Sequence, residues 1–475
     1  MLWASEVVGQ STRMRGGGRS TSAIPTISEA PSSNIRENVV CLLPNGYQHG
    51  KLLWLADVCA RLYNEVNYER RQQFFSKQKV DFKGTYRRYY ERYRDILGVN
   101  AQAVIQKNNE AWNSFFSQLK AMKEGRLPPF IKKVSPPGYW KDREGGRRKI
   151  IVIRQDRYVV DVERKKLILK DFGMEFDFKG EIRWYGKQGR LEIIYDDAVN
   201  RWYAHIPVEV GVETTKNGNK AKHIVRGKRK SIQIASPKGD RIASIDLGIN
   251  VMASVVVDDG TWLLYKGVRA KQDYFYFEKR ISEIQSLEAI ARNIGEFEAA
   301  EELRRERRRL FRKLYRRLLH LYRTLASHLI RMLHDLGVST IYIGYPYNIS
   351  QDSGNKYSVN IWSYHRLIQT IELEAQEYGM RVYEVIEYGT SSRCAYHNVD
   401  VKRKPRGVVT CPLGHRMHSD LNGALNIMRI ATGKTPMHIK KPLSYIVHHN
   451  GVAPTKGGNT RDPSKTPPLR AGKGS

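Results

Sequence analysis

Four residues near the C-terminal end have the types and spacing of metal ligands. Cys394 and His397 stand three apart, Cys411 and His415 four apart, and thirteen residues separate the two pairs. Two close-spaced pairs of soft ligands joined by a short basic loop suit a tetrahedral Zn²⁺ ion. Four protein ligands leave no open position on the metal, so such a knuckle is structural rather than catalytic. His418 is a further possible ligand, which leaves the fourth position the most open; the plain alternative is four loop residues that bind nothing. Asp420 follows at once and opens an apolar-periodic helix through Leu421, Ala424, Leu425, Ile427 and Met428. A second carboxylate, Asp246, lies inside the apolar strand SIDLGIN. A lone buried Asp is expensive unless it is paired or metal-bound. The ordinary alternative is an Asx turn at a strand end.

The elements that must position these groups come from a long and very basic chain. Its 475 residues allow about two to four domains. A net charge of +33 favours a polyanionic partner, and nucleic acid leads. No apolar stretch is long enough to span a bilayer, and the first twenty residues lack the apolar region of a secretory signal. With only four cysteines, two of them in the knuckle, a reducing compartment and a cytoplasmic location are expected. Cys41 and Cys59 read as buried core thiols.

Residues 1–36 read as a disordered arm rich in Ser, Gly, Arg and Pro. A strand is expected at 37–43. Apolar positions Leu52, Leu55, Val58, Leu62 and Val66 predict an amphipathic helix. Two more helices follow near 86–97 and 100–123. The first carries YRRYYERYR, where Arg87, Arg88 and Tyr89 offer phosphate and stacking contacts; a solvated face with aromatic core contacts is the alternative. Pro128–Pro137 cannot be helical, and 149–234 reads as short strands, as in a small barrel. Lys216–Lys230 reads as a linker. From Arg241 a two-strand hairpin, a helix pair at 271–293 and 296–336 broken at Gly295, a strand ending at Pro346, a helix at 361–378 and another strand are expected. The second long helix carries RRERRRLFRKLYRR, with Arg304, Arg308, Arg312 and Arg316 as candidate phosphate contacts. Beyond the Asp420 helix, which stops at Gly433, the tail to 475 reads as disordered and basic.

A strand-borne Asp, hairpin, long helices, strand, helix, strand and final helix-borne Asp is the element order of an RNase H-type domain. SIDLGIN, EYGTSSRC, the paired knuckle and SDLNGALNI together resemble TnpB, a family of transposon-encoded RNA-guided DNA nucleases with a RuvC-type domain, related to type V CRISPR effectors. The resemblance covers about residues 37–432 and is tightest in the last hundred. It implies an α+β multidomain chain. A β-barrel wedge domain (37–50 and 126–235) would be interrupted by a helical recognition lobe (51–125). An RNase H-like (RuvC) α/β domain would follow at 241–390 and 417–433, with the helical hairpin 271–336 and an inserted zinc knuckle at 391–416. The implied partners are a guide RNA and double-stranded target DNA with an adjacent motif, with no membrane. Asp246 matches the first catalytic acid and Asp420 the third, as Mg²⁺ ligands. Cys394 and Cys411 match zinc ligands, while His397 and His415 replace the commoner cysteines.

The family's second acid, a Glu at the end of the strand IYIGYPYNI, is missing: Gly344 and Tyr345 stand there. Two carboxylates hold two Mg²⁺ ions poorly, since each wants several oxygen ligands. Glu387, near the end of the next strand, is the candidate replacement. Glu384, three residues earlier, should point to the opposite face, and Asp352 lies in a loop. An ordinary strand-end role is the alternative for Glu387. Two functions follow: an active Mg²⁺-dependent RNA-guided endonuclease using Asp246, Asp420 and Glu387, or a nuclease-inactive RNA-guided DNA-binding repressor.

Overall fold

The computed structural model describes residues 27–29, 35–127, 133–142, 146–210, 212, 218, 223–225, 235–345, 364–386, 392–405 and 407–455. In chain order they form β1 (Ile27–Glu29), β2 (Ile35–Leu43), α1 (Gly46–Phe75), α2 (Phe82–Leu97) and α3 (Asn100–Lys123). Then come β3 (Ile150–Ile153), β4 (Tyr158–Asp161), β5 (Lys166–Leu169), β6 (Met174–Lys179), β7 (Gly186–Gln188), β8 (Leu191–Asp196), β9 (Arg201–Val210) and β10 (Ile224–Val225). After them lie β11 (Arg241–Asp246), β12 (Val251–Val257), β13 (Trp262–Lys266), α4 (Val268–Asn293), α5 (Phe297–Asp335), β14 (Val338–Tyr345), α6 (Tyr364–Glu377) and β15 (Arg381–Ile386). The chain closes with β16 (Val408–Thr410), β17 (Arg416–His418), α7 (Ser419–Thr432), β18 (Leu443–His448) and β19 (Gly451–Pro454). Two compact units divide it, one built on β2 to β10 with α1 to α3, the other on β1 and everything from β11 onward.

In the first unit, nine antiparallel strands form one sheet in the order β10-β7-β9-β2-β6-β5-β4, with β8 on β9 and β3 on β8. The three helices interrupt it between β2 and β3. A capping box starts α1: the Asn45 side chain accepts from the Gln48 amide and Gln48 accepts from the Asn45 amide. The expected apolar stripe, Leu52, Leu55, Val58, Leu62 and Val66, is buried. Arg70 is buried too, held by Thr85 and Asn108 and packed on the Phe82 ring. Cys59 lies in the core, where burial pushes its thiol up to about 12. Cys41 is only half-buried, because strand alternation turns Val40 and Leu42 inward and Cys41 out.

The second unit is an eight-stranded mixed sheet, β1-β15-β14-β11-β12-β13-β18-β19. β11, β14 and β15 run parallel; β12 is antiparallel to β11 and β13. Ala243, Ile245, Ile341 and Ile343 face one side, packing with Leu321, Leu325 and Leu329 of α5 and Leu367 and Ile371 of α6. On the other side Val256 and Leu264 pack with Leu421, Ala424, Leu425 and Met428 of α7.

Besides Cys41, four expectations are corrected. The hairpin after Arg241 is a three-strand meander, because Asp258-Asp259-Gly260, with Gly260 at φ +80°, makes a second tight turn. The tail is not wholly disordered: β18 pairs parallel with β13, and β19 folds back on it. Tyr445 and Val447 are buried in the core, and that burial orders a segment whose composition alone reads as loop. Within the arm, Ile27–Glu29 pairs with β15. Within the linker, Ile224–Val225 pairs with β7.

Candidate active site and metal centre

Asp246 is the last residue of β11, in the middle of the second sheet. Two residues before it on the same face, Ser244 donates its hydroxyl to the Ala424 carbonyl of α7 at 2.8 Å. Asp246 therefore also faces α7. How closely is shown by Gly423, where an added Cβ would lie 2.3 Å from Oδ2 of Asp246 and 2.8 Å from its Cγ. The carboxylate occupies the space a side chain would fill. Asp420 sits one turn earlier on α7, and residues three apart on a helix are neighbours, about 5–6 Å between Cβ atoms. Two acids 174 positions apart in sequence thus share one face of one helix turn.

Asp420 is about one-third exposed and locally tethered. Ser419 donates to its Oδ1 at 3.1 Å. Its amide donates to Nδ1 of His418, the N-cap of α7, at 3.2 Å. That role of His418, as a cap beside the acid, was not read from its type alone. The anionic side chain also sits in the first turn, where the helix dipole favours it.

The knuckle stands against the same helix. Sγ of Cys394 lies 3.6 Å from Nδ1 of His415, and Sγ of Cys411 lies 3.4 Å from Nδ1 of His397. The two imidazoles stack with centroids 4.5 Å apart. Ligand atoms of Cys394, His397 and His415 all lie within 4.8 Å of one another. A tetrahedral ion with the usual Zn–S and Zn–N bond lengths has an S···N edge of about 3.5 Å, which each Cys–His pair matches; Cys411 stands against His397 but outside the compact group of three. Both turns use left-handed residues, Asn398 and Gly414. The Leu413 amide donates to Sγ of Cys411 at 3.4 Å.

Asn422 and Asn426 rivet the knuckle to α7. Asn422 accepts from the Ala395 amide and donates to the Arg393 carbonyl; Asn426 donates to the same carbonyl. Both are fully buried. The motif SDLNGALNI thus spends its two asparagines on the knuckle and its glycine on Asp246. Spacing alone did not distinguish these roles.

β14 lies beside β11, with Tyr342 opposite Ser244 and Ile343 opposite Ile245. Gly344 therefore falls on the Asp246 face and brings no carboxylate. On β15, Glu384 is level with Ile343, so it turns to the α6 face, as expected. There it meets Glu372 of α6. Burial, then the Glu384 charge and hydrogen bond, push Glu372 up to about 7. Burial also raises Glu384. Arg381, Tyr383 and Val385 are the β15 residues on the Asp246 side, and Tyr383 stacks on Tyr342 at 5.4 Å. Glu387 and Asp352 lie outside the described residues.

Of the candidate nucleic-acid contacts, Arg87 and Arg88 are exposed, and Arg88 pairs with Glu69. Tyr89 is half-buried against the core of its unit, and burial and the Glu69 charge push its hydroxyl up to about 12. Tyr93 of the same run is buried. On α5, Arg304 pairs with Glu301, Arg308 and Arg312 are half-buried, and Arg316 is exposed. Among the described residues no helix is long and apolar enough to cross a membrane.

Comparison with known proteins matches the chain to two family models, a viral relative and several solved structures. The family model OrfB_IS605, described as a probable transposase, matches residues 205–350, and the Cas12f1-like TNB domain matches 364–427. The TnpB-like protein ORF457 of Acidianus two-tailed virus is 66% identical over 441 residues, 92% of this chain and 96% of that protein. The chain belongs to the TnpB-like family. Among solved structures, a Cas12f1–sgRNA–target DNA complex matches with TM-score 0.48 and 16% identity, over 81% of this chain and 83% of that one. The RNA-guided endonuclease Cas_phi3 matches with TM-score 0.40 and 12% identity, over 86% and 93%.

Proposed function

We propose that this chain is an RNA-guided, Mg²⁺-dependent DNA endonuclease of the TnpB kind, working with a guide RNA on double-stranded DNA that carries an adjacent motif. The observation that carries the reading is the Asp246 carboxylate seated over Gly423, one helical turn from Asp420. The strand order β13-β12-β11-β14-β15, with helices joining β13 to β14 and β14 to β15, supports an RNase H-like (RuvC) domain. The nine-stranded unit with its helical excursion supports a wedge domain with a recognition lobe. Membership of the TnpB-like family and the +33 charge support the nucleic-acid partners.

In this reading Asp246 and Asp420 hold the catalytic Mg²⁺, and Glu387, which lies outside the described residues, supplies the third acid. Divalent ions bound there polarise the scissile phosphate and activate water. The chain's own residues do the positioning. The β11 hydrogen-bond ladder aims Asp246, the Ser419 and His418 contacts orient Asp420, and Gly423 leaves room for the first carboxylate. Cys394, His397, Cys411 and His415 hold a structural Zn²⁺, which fixes the start of α7 and with it Asp420. Arg87, Arg88, Arg304, Arg308, Arg312 and Arg316 contact backbone phosphate.

One observation favours a second reading. Gly344 stands on the active face where the family carries its Glu, which suits a nuclease-inactive RNA-guided DNA-binding protein. One experiment separates the two. The purified ribonucleoprotein is given Mg²⁺ and a plasmid with target and adjacent motif, and cutting and binding are measured together. The endonuclease cuts, and Asp246→Ala, Asp420→Ala and Glu387→Ala each reduce cutting by at least a hundredfold while binding persists. Tight binding with no cutting by the unaltered chain establishes the second reading instead. Undiminished cutting by Glu387→Ala removes that residue alone.

A further inference from the structure

Helix α1 turns an ordered row of aromatic rings to solvent. Tyr47 is 76% exposed, Trp54 50%, Tyr68 56% and Phe75 59%. Single exposed rings are common on protein surfaces, but these four fall on one seven-residue register, and Arg61 fills the rung between Trp54 and Tyr68. Seven residues return to nearly the same side of a helix, with a drift of about 20° per repeat. They rise about 10.5 Å, the length of about three stacked nucleotides at about 3.4 Å each. The row therefore runs the length of the helix as a gently winding track, opposite the stripe that builds the core.

The electrostatics beside the track select its occupant. All three acids of α1 are closed by arginines: Asp57 by Arg61 and Arg147, Glu65 by Arg92, and Glu69 by Arg88. These four guanidinium groups stay 48–66% exposed, so the flanks offer cations and the acids are masked. At the C-terminal end Arg71 lies over both the Phe75 ring, at 5.2 Å, and the Tyr139 ring, at 5.5 Å. The Pro136 and Pro137 carbonyls accept from its Nη1 and lock it in place. A fixed guanidinium plane between two rings extends the stacking surface.

We propose that the outer face of α1 is a stacking track for unpaired nucleotides of the RNA this chain carries. The inference rests on the RNA-guided reading above. Exposed rings take base faces without regard to sequence, and flanking arginines take the phosphates, the combination used by single-strand binders. A basic protein surface would attract a duplex as well, but rings at this spacing have nothing to stack on until bases are unpaired. The tyrosines of YRRYYERYR, which the sequence singles out, mostly turn toward the core, and the accessible rings belong to the neighbouring helix.

The test uses the full chain with a fluorescein-labelled 20-nucleotide mixed-sequence RNA, single-stranded and as a duplex. Tyr47→Ala/Trp54→Ala/Tyr68→Ala should weaken single-strand binding at least tenfold, shift duplex binding less than twofold and leave the salt dependence unchanged. Tyr47→Phe/Trp54→Phe/Tyr68→Phe should restore binding, and Tyr47→Leu/Trp54→Leu/Tyr68→Leu should not. Ultraviolet cross-linking followed by mass spectrometry should find adducts on Tyr47, Trp54 or Tyr68. If the unaltered chain binds no RNA, the guide-RNA reading fails and the track with it. Equal binding by the alanine variant at an unchanged melting temperature overturns the track alone. So does rescue by leucine, or a change of oligomeric state without a change in RNA binding, which would assign the rings to a second copy.

Discussion

Gly423→Ala isolates the geometry on which the catalytic reading depends. In the interior of a helix, alanine in place of glycine ordinarily gains about 1 kcal/mol. Here the new methyl would sit 2.3 Å from Oδ2 and 2.8 Å from Cγ of Asp246. An ordinary carbon–oxygen contact begins near 3.4 Å, so the carboxylate must retreat by about 1 Å or α7 must lift from the sheet. A misplacement of about 1 Å in a catalytic group costs on the order of a hundredfold in rate, or about 2.7 kcal/mol of barrier. We expect single-turnover cleavage in Mg²⁺ to slow about a hundredfold, target binding to hold within twofold, and the melting temperature to stay level or rise. A fall in rate without a loss of stability is what distinguishes displacement of one side chain from a damaged fold. If the chain binds without cutting, Mn²⁺ affinity measured by calorimetry replaces the rate, and it should drop at least tenfold. Cleavage or metal binding at the wild-type level in a folded Gly423→Ala chain would refute the placement of Asp246 as a metal ligand.

Two further outcomes follow from other parts of the second unit. Glu372 holds its proton up to about pH 7 against an ordinary 4.5. Between those values the folded chain carries a proton the unfolded chain has lost, so stability is full below pH 4.5 and falls as pH rises toward 7. Glu372→Gln should remove about 1–3 kcal/mol of that loss, raising the melting temperature at pH 8 and leaving it unchanged at pH 4.5; equal shifts at both would discount the Glu372–Glu384 pair. The knuckle should hold one Zn²⁺ per chain by elemental analysis, and Cys411→Ser should lose it. Full zinc content in that variant would remove Cys411 from the ligand set.

Legibility in the sequence followed the range of the interaction concerned. The α1 stripe from Leu52 to Val66, the break at Gly295 and the stop at Gly433 depend on neighbours within a turn or two, and each could be read from periodicity and from glycine's tolerance of positive φ. The spacing of Cys394, His397, Cys411 and His415 is equally local. The DDG turn is also local, but it is masked by the run of apolar residues on both sides of it. Strands β18 and β19 could not be read, because β18 is ordered by pairing with β13 about 180 residues earlier and β19 by folding back on β18, not by their own composition. The same holds for Glu384: strand alternation sets the side it faces, but its partner Glu372 comes from a helix packed on that side of the sheet.

By itself, then, the chain's sequence determined which residues can act: two aspartates at element ends, a Cys/His quartet at ligand spacing, and an excess of positive charge. Only the tertiary structure decided what each one touches. It put the Asp246 carboxylate into the space left by Gly423, used Asn422 and Asn426 to hold the knuckle, and turned Tyr47, Trp54, Tyr68 and Phe75 of α1 outward while the tyrosines of α2 packed against the core. The physical reason is that ligand spacing and helical period are properties of consecutive residues. A carboxylate's neighbours are set by strand pairing and helix packing, which join positions that the order of the chain leaves far apart.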